Sequence, residues 1–200
     1  KANSNIAIGK GALLGGSFSS SDLDLEGNIA IGNSALDATG ANASTGQIAI
    51  GHQALTALTT GTGNTAVGYQ AMAAVDNGEE GNTVFGYQAG VSQDGETFNT
   101  WVGYYAGGAV NGGATHCVGL GAQAMGGAAG ASQAGTVAIG FQALNSVTTG
   151  AGNVAVGYNA LLTEDTGAKN TAIGYQSMKV LNYKIKVFWK KLDDAKMSQE

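Results

Sequence analysis

A nine-residue phrase recurs ten times along the chain and constrains its fold more than any other feature. It reads NTAVGYQAM at residues 64–72, NIAIGKGAL from residue 5 and NTAIGYQSM from residue 170. Aligned on the glycine at the fifth position, the copies are 16 to 23 residues apart, most often 17. This period is close to one turn of a β-solenoid and shorter than that of the helical repeat families. The aligned glycines are Gly9, Gly32, Gly51, Gly68, Gly86, Gly103, Gly119, Gly140, Gly157 and Gly174.

Positions two to four of each copy alternate as a short β-strand does. Side chains at positions two and four share one face of a strand, and the side chain at position three takes the other. Both faces are largely apolar, which is typical of a strand covered on both sides. Position three is mostly Ala, which lets another layer of backbone approach closely. The glycine that follows predicts a corner, where a side chain would obstruct the bend or a positive φ is needed.

The second half of each repeat is rich in Thr, Gly and Asn and predicts a second short strand with a return turn. Each repeat is therefore interpreted as one coil. Residues 1–178 are predicted to form an all-β solenoid domain of about ten coils, followed by a connector or trimerisation segment at 179–200.

Position four carries Ile, Val or Phe in every copy, and we expect these side chains to stack into a core ladder. Each would contribute about 1.5–3 kcal/mol if fully buried. A chain with 34 Gly loses much backbone entropy on folding, about 1–2 kcal/mol per residue. A narrow solenoid made of a single chain is then under-stabilised, so we expect several chains to share a core. The ladder comprises Ile8, Ile31, Ile50, Val67, Phe85, Val102, Val118, Ile139, Val156 and Ile173.

Charge and apolar content exclude several kinds of partner. Residues 1–178 hold three Lys against eleven acids, a net charge of −8, whereas residues 179–200 hold six Lys against three acids, a net charge of +3. An acidic body argues against nucleic acid as a partner, since phosphate binding needs a basic footprint. No run of 18 apolar residues is present, so no membrane insertion is predicted. Because the chain begins almost inside a repeat, we interpret it as a fragment or a processed product.

The segment 179–200 departs from the repeat and carries two conflicting patterns. Leu181, Ile185, Phe188 and Leu192 follow the spacing of a heptad seam, which favours a short coiled-coil helix. Alternating apolar residues from Tyr183 onward favour a strand instead. Both alternatives stay open on the sequence.

No catalytic or metal-binding constellation is predicted. His52 and His116 are 64 residues apart, with no third ligand at metal spacing. Cys117, aligned with the alanines of position three, is interpreted as a buried structural thiol rather than a nucleophile. As the only cysteine, it also excludes an internal disulfide framework. We therefore predict no enzyme activity, no cofactor and no resident metal.

Aromatic residues recurring at position six are candidates for receptor binding. Tyr69, Tyr87 and Tyr104 belong to this set. A ladder of stacked rings can hold carbohydrate, since sugars pack their apolar faces on aromatic rings. Packing between neighbouring chains is the simpler interpretation.

The long connectors at 14–27, 37–46 and 126–135 are a second kind of candidate, because insertions in solenoids form loops and loops carry recognition. Small-residue spacers are the simpler interpretation of these connectors. In the first connector, Asp22, Asp24 and Glu26 alternate with leucines, and we interpret them as a solvated acidic face. Calcium binding is the alternative, because calcium prefers oxygen ligands. The candidate residues in the first two connectors are Phe18, Asp22, Asp24, Glu26 and Asn42.

The phrase NxAIGxxAL, with its variable connectors, resembles the head repeats of trimeric autotransporter adhesins of the YadA type. It is even more similar to the NTAVGYQAL repeats of bacteriophage tail fibres and related virion proteins. The resemblance covers residues 5–178. It implies a left-handed parallel β-roll in which three chains associate about one axis, followed by a coiled-coil neck or stalk.

Together these observations predict a structural attachment module: a rod-like segment of a phage or virion tail fibre that displays host-binding surfaces. Its expected partners are two further copies of itself, a glycan or protein receptor on the host surface, and other fibre or virion proteins. The alternative is a cell-surface trimeric adhesin or the subunit of an extracellular filament. The expected location is a virion fibre or the outside of a cell.

Overall fold

A computed structural model describes residues 2–15, 25–38, 44–75, 77–93, 95–110, 112–127, 133–146, 149–163 and 167–179. The described chain is all-β: it is wound as a solenoid of short parallel strands, and its described parts contain no helix. None of them therefore forms a helix that is long and apolar enough to cross a membrane. The predicted all-β solenoid class is confirmed. Two groups of predicted residues lie outside the described residues. They are the binding candidates Phe18, Asp22, Asp24 and Asn42 and the seam residues Leu181, Ile185, Phe188 and Leu192.

The strands fall into two parallel sheets that run along the solenoid. Ten strands form the long sheet, in the order β15-β14-β13-β12-β11-β10-β8-β6-β4-β2, and five form the short sheet, β1-β3-β5-β7-β9. In chain order the strands are β1 (Ala2–Asn3), β2 (Ile6–Ile8), β3 (Leu25–Glu26), β4 (Ile29–Ile31), β5 (Ser44–Thr45), β6 (Ile48–Ile50), β7 (Thr60–Thr62), β8 (Thr65–Val67), β9 (Asn77–Glu80), β10 (Thr83–Phe85), β11 (Thr100–Val102), β12 (Val118–Leu120), β13 (Val137–Ile139), β14 (Val154–Val156) and β15 (Thr171–Ile173).

The strands of the long sheet pair in register, so each repeat position stacks on the same position of the next turn. Ala30 pairs with Ala49, and Ala49 pairs with Ala66. Position three points into the solenoid, as the small side chains predict, and is joined there by positions eight and nine. The buried residues at these positions include Ala30, Ala35, Leu36, Ala49, Ala54, Leu55, Ala66, Ala71, Met72, Ala138, Ala143, Leu144, Ala155, Ala160 and Leu161.

The position-four ladder does not form the core of the single chain. Ile8, Phe85 and Ile173 are 59%, 58% and 70% exposed, and the position-four residues of the strands between them are half-buried or exposed. The physical reason is space: turns lined by alanine leave an interior that the Leu or Met of position nine already fills. The larger position-four side chains therefore lie on the outer face of the long sheet.

The seventh repeat is in a different register from the one predicted. Gly119 pairs with Trp101 in the middle of the strand, so it occupies position three, and Val118 occupies position two. Leu120 takes position four and Gly121, with φ of 130°, takes the corner. The sequence VGLG contains a glycine at both places, and alignment on the first glycine shifted this repeat by two residues.

The other nine aligned glycines share one backbone conformation, with φ between 126° and 144°. At Gly68 two requirements coincide. Its φ of 139° lies where residues with side chains are rarely found, and an added Cβ would collide with the carbonyl oxygen of Gly86 on the next turn. The corner thus allows adjacent turns to stack at backbone contact distance.

A buried amide at position one joins most turns to the next, a feature that was not predicted from the sequence. The Asn99 side chain accepts a hydrogen bond from the backbone N–H of Cys117 at 2.8 Å and donates one to the carbonyl of Ala114 at 2.7 Å. Asn28 and Asn82 make the same pair of bonds in their own turns. Seven of the ten repeats carry Asn here, and this recurrence was the available signal.

Candidate functional site

Aromatic rings at position six stack along the outside of the solenoid, directly after the corner glycine. The ring centroids of His52 and Tyr69 are 5.2 Å apart, those of Tyr69 and Tyr87 are 5.0 Å apart, and those of Tyr87 and Tyr104 are 5.4 Å apart. The planes of these neighbouring rings differ by only 7° to 9°. The predicted tyrosines therefore lie together as one continuous ladder.

A second, shorter ladder continues on the same line. The ring centroids of Phe141 and Tyr158 are 5.2 Å apart, as are those of Tyr158 and Tyr175. The backbone sets this spacing, because hydrogen bonds between successive turns keep equivalent residues stacked directly on one another. Examples are the bonds from Gln70 N to His52 O at 2.9 Å and from Gln88 N to Tyr69 O at 2.8 Å.

Glutamine side chains at position seven form an amide ladder beside the rings. The Gln70 amide nitrogen donates to the side-chain oxygen of Gln53, and that of Gln88 donates to Gln70, both at 2.8 Å. Position seven has a left-handed backbone even without glycine, with φ of 52° at Gln70 and 50° at Gln88. This conformation costs about 1–2 kcal/mol per residue, and hydrogen bonds between the stacked amides help to offset it.

The two ladders are interrupted on adjacent turns. Position six is Ala122 between Tyr104 and Phe141, and position seven is Tyr105 between Gln88 and Gln123. Beyond this break the amide ladder resumes, since the Gln142 nitrogen donates to Gln123 at 2.8 Å. The ring of Tyr105 is tilted by 39° against that of Tyr104 and is not part of the stack.

Stacking limits what the aromatic rings can bind. A ring between two stacked neighbours has both faces covered and presents mainly its edge to solvent, whereas sugars pack on the faces of aromatic rings. The uninterrupted stretches of ladder are therefore poor platforms for a sugar. Uncovered faces occur where a stack stops, and the break at Ala122 places two of them opposite each other.

The structure does not gather the remaining predicted binding residues around the ladder. Glu26 is exposed on β3 of the short sheet, whereas the tyrosines follow strands of the long sheet. Within the described ranges, no group of three or more His, Cys, Asp or Glu side chains is placed to hold a metal ion.

The two histidines have packing contacts. His52 begins the aromatic ladder, and His116 stacks on Phe98 with ring centroids 5.3 Å apart. Both residues precede or follow repeat strands on separate turns, and the structure does not bring them together as a pair.

Cys117 is a buried free thiol that takes the place of Asn at position one. Its sulfur donates to the carbonyl oxygen of Gln133 at 3.1 Å, on the next turn. Burial raises the pKa of the thiol above its ordinary value, which lowers the thiolate fraction on which reactivity depends. The position differs from the predicted position three, and the thiol lies in the interior in either register.

Comparisons with protein-family models, with curated proteins and with solved structures found no match. The resemblance to the repeats of tail fibres and trimeric adhesins therefore stays a prediction.

Proposed function

We propose that this chain is a structural attachment module: a segment of a trimeric, left-handed β-roll of about ten coils that belongs to a phage or virion tail fibre. Three copies pack around a common axis and carry host-binding surfaces on the outside of a stiff rod. The observation that carries the proposal is the uncovered apolar face of the long sheet.

That face is extensive and regular. It presents side chains from positions two and four of ten adjacent strands, among them the exposed Ile6, Ile8, Phe85, Leu120 and Ile173. Soluble monomers rarely leave large contiguous apolar patches exposed, and parallel sheets are normally covered on both faces. One face of the long sheet already packs on the chain's own interior. A second and third copy of the same chain would cover the other.

A rod built in this way suits attachment. Ten strands at the usual inter-strand spacing extend roughly 45 Å, and the in-register pairing keeps the three copies of any surface feature at a fixed height. A weak receptor site repeated three times gains avidity without any new contact. The function then depends on reach and on multivalency.

The mass of the intact protein, measured by light scattering, tests the trimer. We expect a trimer for residues 1–200, and measuring residues 1–178 in parallel shows whether the repeats suffice for assembly. Ile50→Lys with Val67→Lys places two charges on the outer face and should give monomers. Asn33→Lys, an exposed position-six change, is the matched control and should stay trimeric. A monomeric wild-type protein, or a trimer that the face variants leave intact, would contradict the proposed assembly.

A cell-surface adhesin or extracellular filament subunit is the second candidate, favoured by the edges of the long sheet. β2 and β15 are its two outermost strands, and such edges can pair with another molecule. Electron microscopy of the purified protein separates the candidates. Long filaments would support end-to-end assembly, whereas discrete short rods would support the fibre segment.

A further inference from the structure

The break in the aromatic ladder is a missing ring and not a missing turn. Gln123 N donates to the carbonyl of Tyr104 at 2.8 Å, and Gln142 N donates to the carbonyl of Ala122 at 3.0 Å. The backbone therefore passes through this level with the same hydrogen bonds between turns as elsewhere. Only the side chain is reduced, to the methyl group of Ala122.

The gap has the dimensions of one ring. Tyr104 and Phe141 lie two turns apart, which corresponds to roughly 10 Å, and neighbouring rings of the ladders are centred 5.0 to 5.4 Å apart. A ring placed midway would have the stacking distance that the tyrosines have to one another. Tyr104 is 54% exposed, against 42% for Tyr69 and 45% for Tyr87, whereas Phe141 on the other side of the gap is 40% exposed.

The gap also carries polar groups without charge. In the regular amide ladder each glutamine nitrogen donates to the glutamine of the preceding turn, but the turn before Gln123 carries Tyr105. The Gln123 oxygen accepts from Gln142, so its amide hydrogens have no amide acceptor in the preceding turn and can serve a ligand. The side chains around the gap carry no formal charge: hydroxyl groups come from Tyr104 and Tyr105, amide groups come from Gln123 and Gln142, and Phe141 adds an apolar ring.

We propose that the gap at Ala122 is a binding site for one neutral pyranose ring of a host-surface glycan. The two apolar faces of the sugar pack on the rings of Tyr104 and Phe141, and its hydroxyl groups hydrogen-bond to the amide of Gln123. Ala122 forms the floor. This assignment rests on the proposed attachment function and gives that function a site and a ligand class.

The test is a nuclear magnetic resonance titration of the full-length protein with methyl β-D-glucopyranoside, methyl β-D-galactopyranoside and methyl α-D-mannopyranoside, with indole as a flat aromatic probe. Ala122→Tyr restores the ring that five other repeats carry at position six and should fold while filling the gap. Ala122→Ser leaves the gap open and is the control. We expect saturable binding of at least one pyranoside, weakened about tenfold or more by Ala122→Tyr and kept by Ala122→Ser.

The proposal is overturned if no pyranoside binds saturably to the wild-type protein, if only indole binds, or if Ala122→Tyr binds as well as wild type. Attachment of labelled protein to a panel of bacterial cells distinguishes this failure from failure of the proposed function. Attachment that Ala122→Tyr leaves unchanged keeps the fibre function and removes the glycan site. Pyranoside binding without attachment to any cell in the panel keeps the glycan site and argues against the fibre function.

Discussion

The indole of Trp101 fills the space that a side chain on Gly107 would occupy. A Cβ added to Gly107 would collide with the indole, and one added to Gly119 would lie 2.5 Å from its Cε3 atom. Eight turns carry Ala or Gly at position three with Leu or Met at position nine, and the turn of Val84 carries Gly90 at position nine. The turn of Trp101 combines the largest side chain at position three with Gly107 at position nine. In this turn the indole therefore occupies space that the position-nine side chain fills in those eight turns.

Substitutions at Trp101 and Gly107 should be strongly coupled in their effects on the free energy of unfolding. Trp101→Ala opens a cavity and should lower the free energy of unfolding by about 3–5 kcal/mol. Adding Gly107→Leu to Trp101→Ala should restore much of this loss, because Leu55 and Leu144 occupy position nine with φ of 51°, close to the 60° of Gly107. Gly107→Leu alone should destabilise by overpacking. Urea unfolding of the four proteins measures the coupling; strictly additive effects would contradict the account of volume exchange.

The position-one amides should contribute more to the free energy of unfolding than the number of their hydrogen bonds indicates, because replacing one leaves buried backbone groups without partners. Asn99→Leu keeps the size of the side chain but leaves the N–H of Cys117 and the carbonyl of Ala114 unbonded. At about 1–3 kcal/mol for each of the two groups, we expect a loss of roughly 2–6 kcal/mol in the free energy of unfolding. Asn33→Leu, at an exposed site, is the control and should change it by less than about 0.5 kcal/mol.

Two glycines of the same turn should differ sharply in their tolerance of alanine. Gly63→Ala should cost only about 1 kcal/mol, since nothing lies within 4 Å of the added Cβ and Lys169 occupies the equivalent position with φ of 59°. Gly68→Ala should cost at least about 3 kcal/mol, because it adds a collision with the carbonyl of Gly86 to an unfavourable φ. Thermal unfolding of the two variants compares them; equal losses would show that contact between turns is not decisive.

Stability should fall at alkaline pH partly through Cys117. Burial raises the pKa of this thiol in the folded protein, so the unfolded chain releases the proton at lower pH than the folded one. Its contribution is therefore complete below the unfolded pKa of about 8.5 and declines as the pH rises above it. Between about pH 8 and 10, Cys117→Ala should lose less stability than wild type. Identical pH profiles in denaturant titrations would show that the thiol is not the titrating group.

The strand pattern of the repeat could be predicted from its residues, but the inward face could not be assigned fully. Alternation placed Thr65 and Val67 on one face and Ala66 on the other, and the structure has this arrangement at β8. Naming position four as the core required knowing how much room the turn encloses. That room depends on Met72 at position nine, which is buried and has a φ of 51°, a backbone state that local preferences disfavour.

The register of the seventh repeat and the gap at Ala122 were missed for a related reason. Both glycines of VGLG satisfy the repeat phrase locally, and only pairing of Gly119 with Trp101 on the neighbouring strand decides between them. Once that register is known, Ala122 aligns with the aromatic rings. In the predicted register the same position held Leu120, whose large side chain did not indicate a gap the size of a ring.

The sequence by itself determined the period, the parallel stacking of equivalent residues and the corner at nine of the ten aligned glycines, because these follow from local geometry repeated many times. The tertiary structure decided which side chains are enclosed, how Trp101 and Gly107 share the interior, and where the aromatic ladder is open. Those features depend on contacts within and between turns, whose fit is a property of the packed turns and of no single repeat.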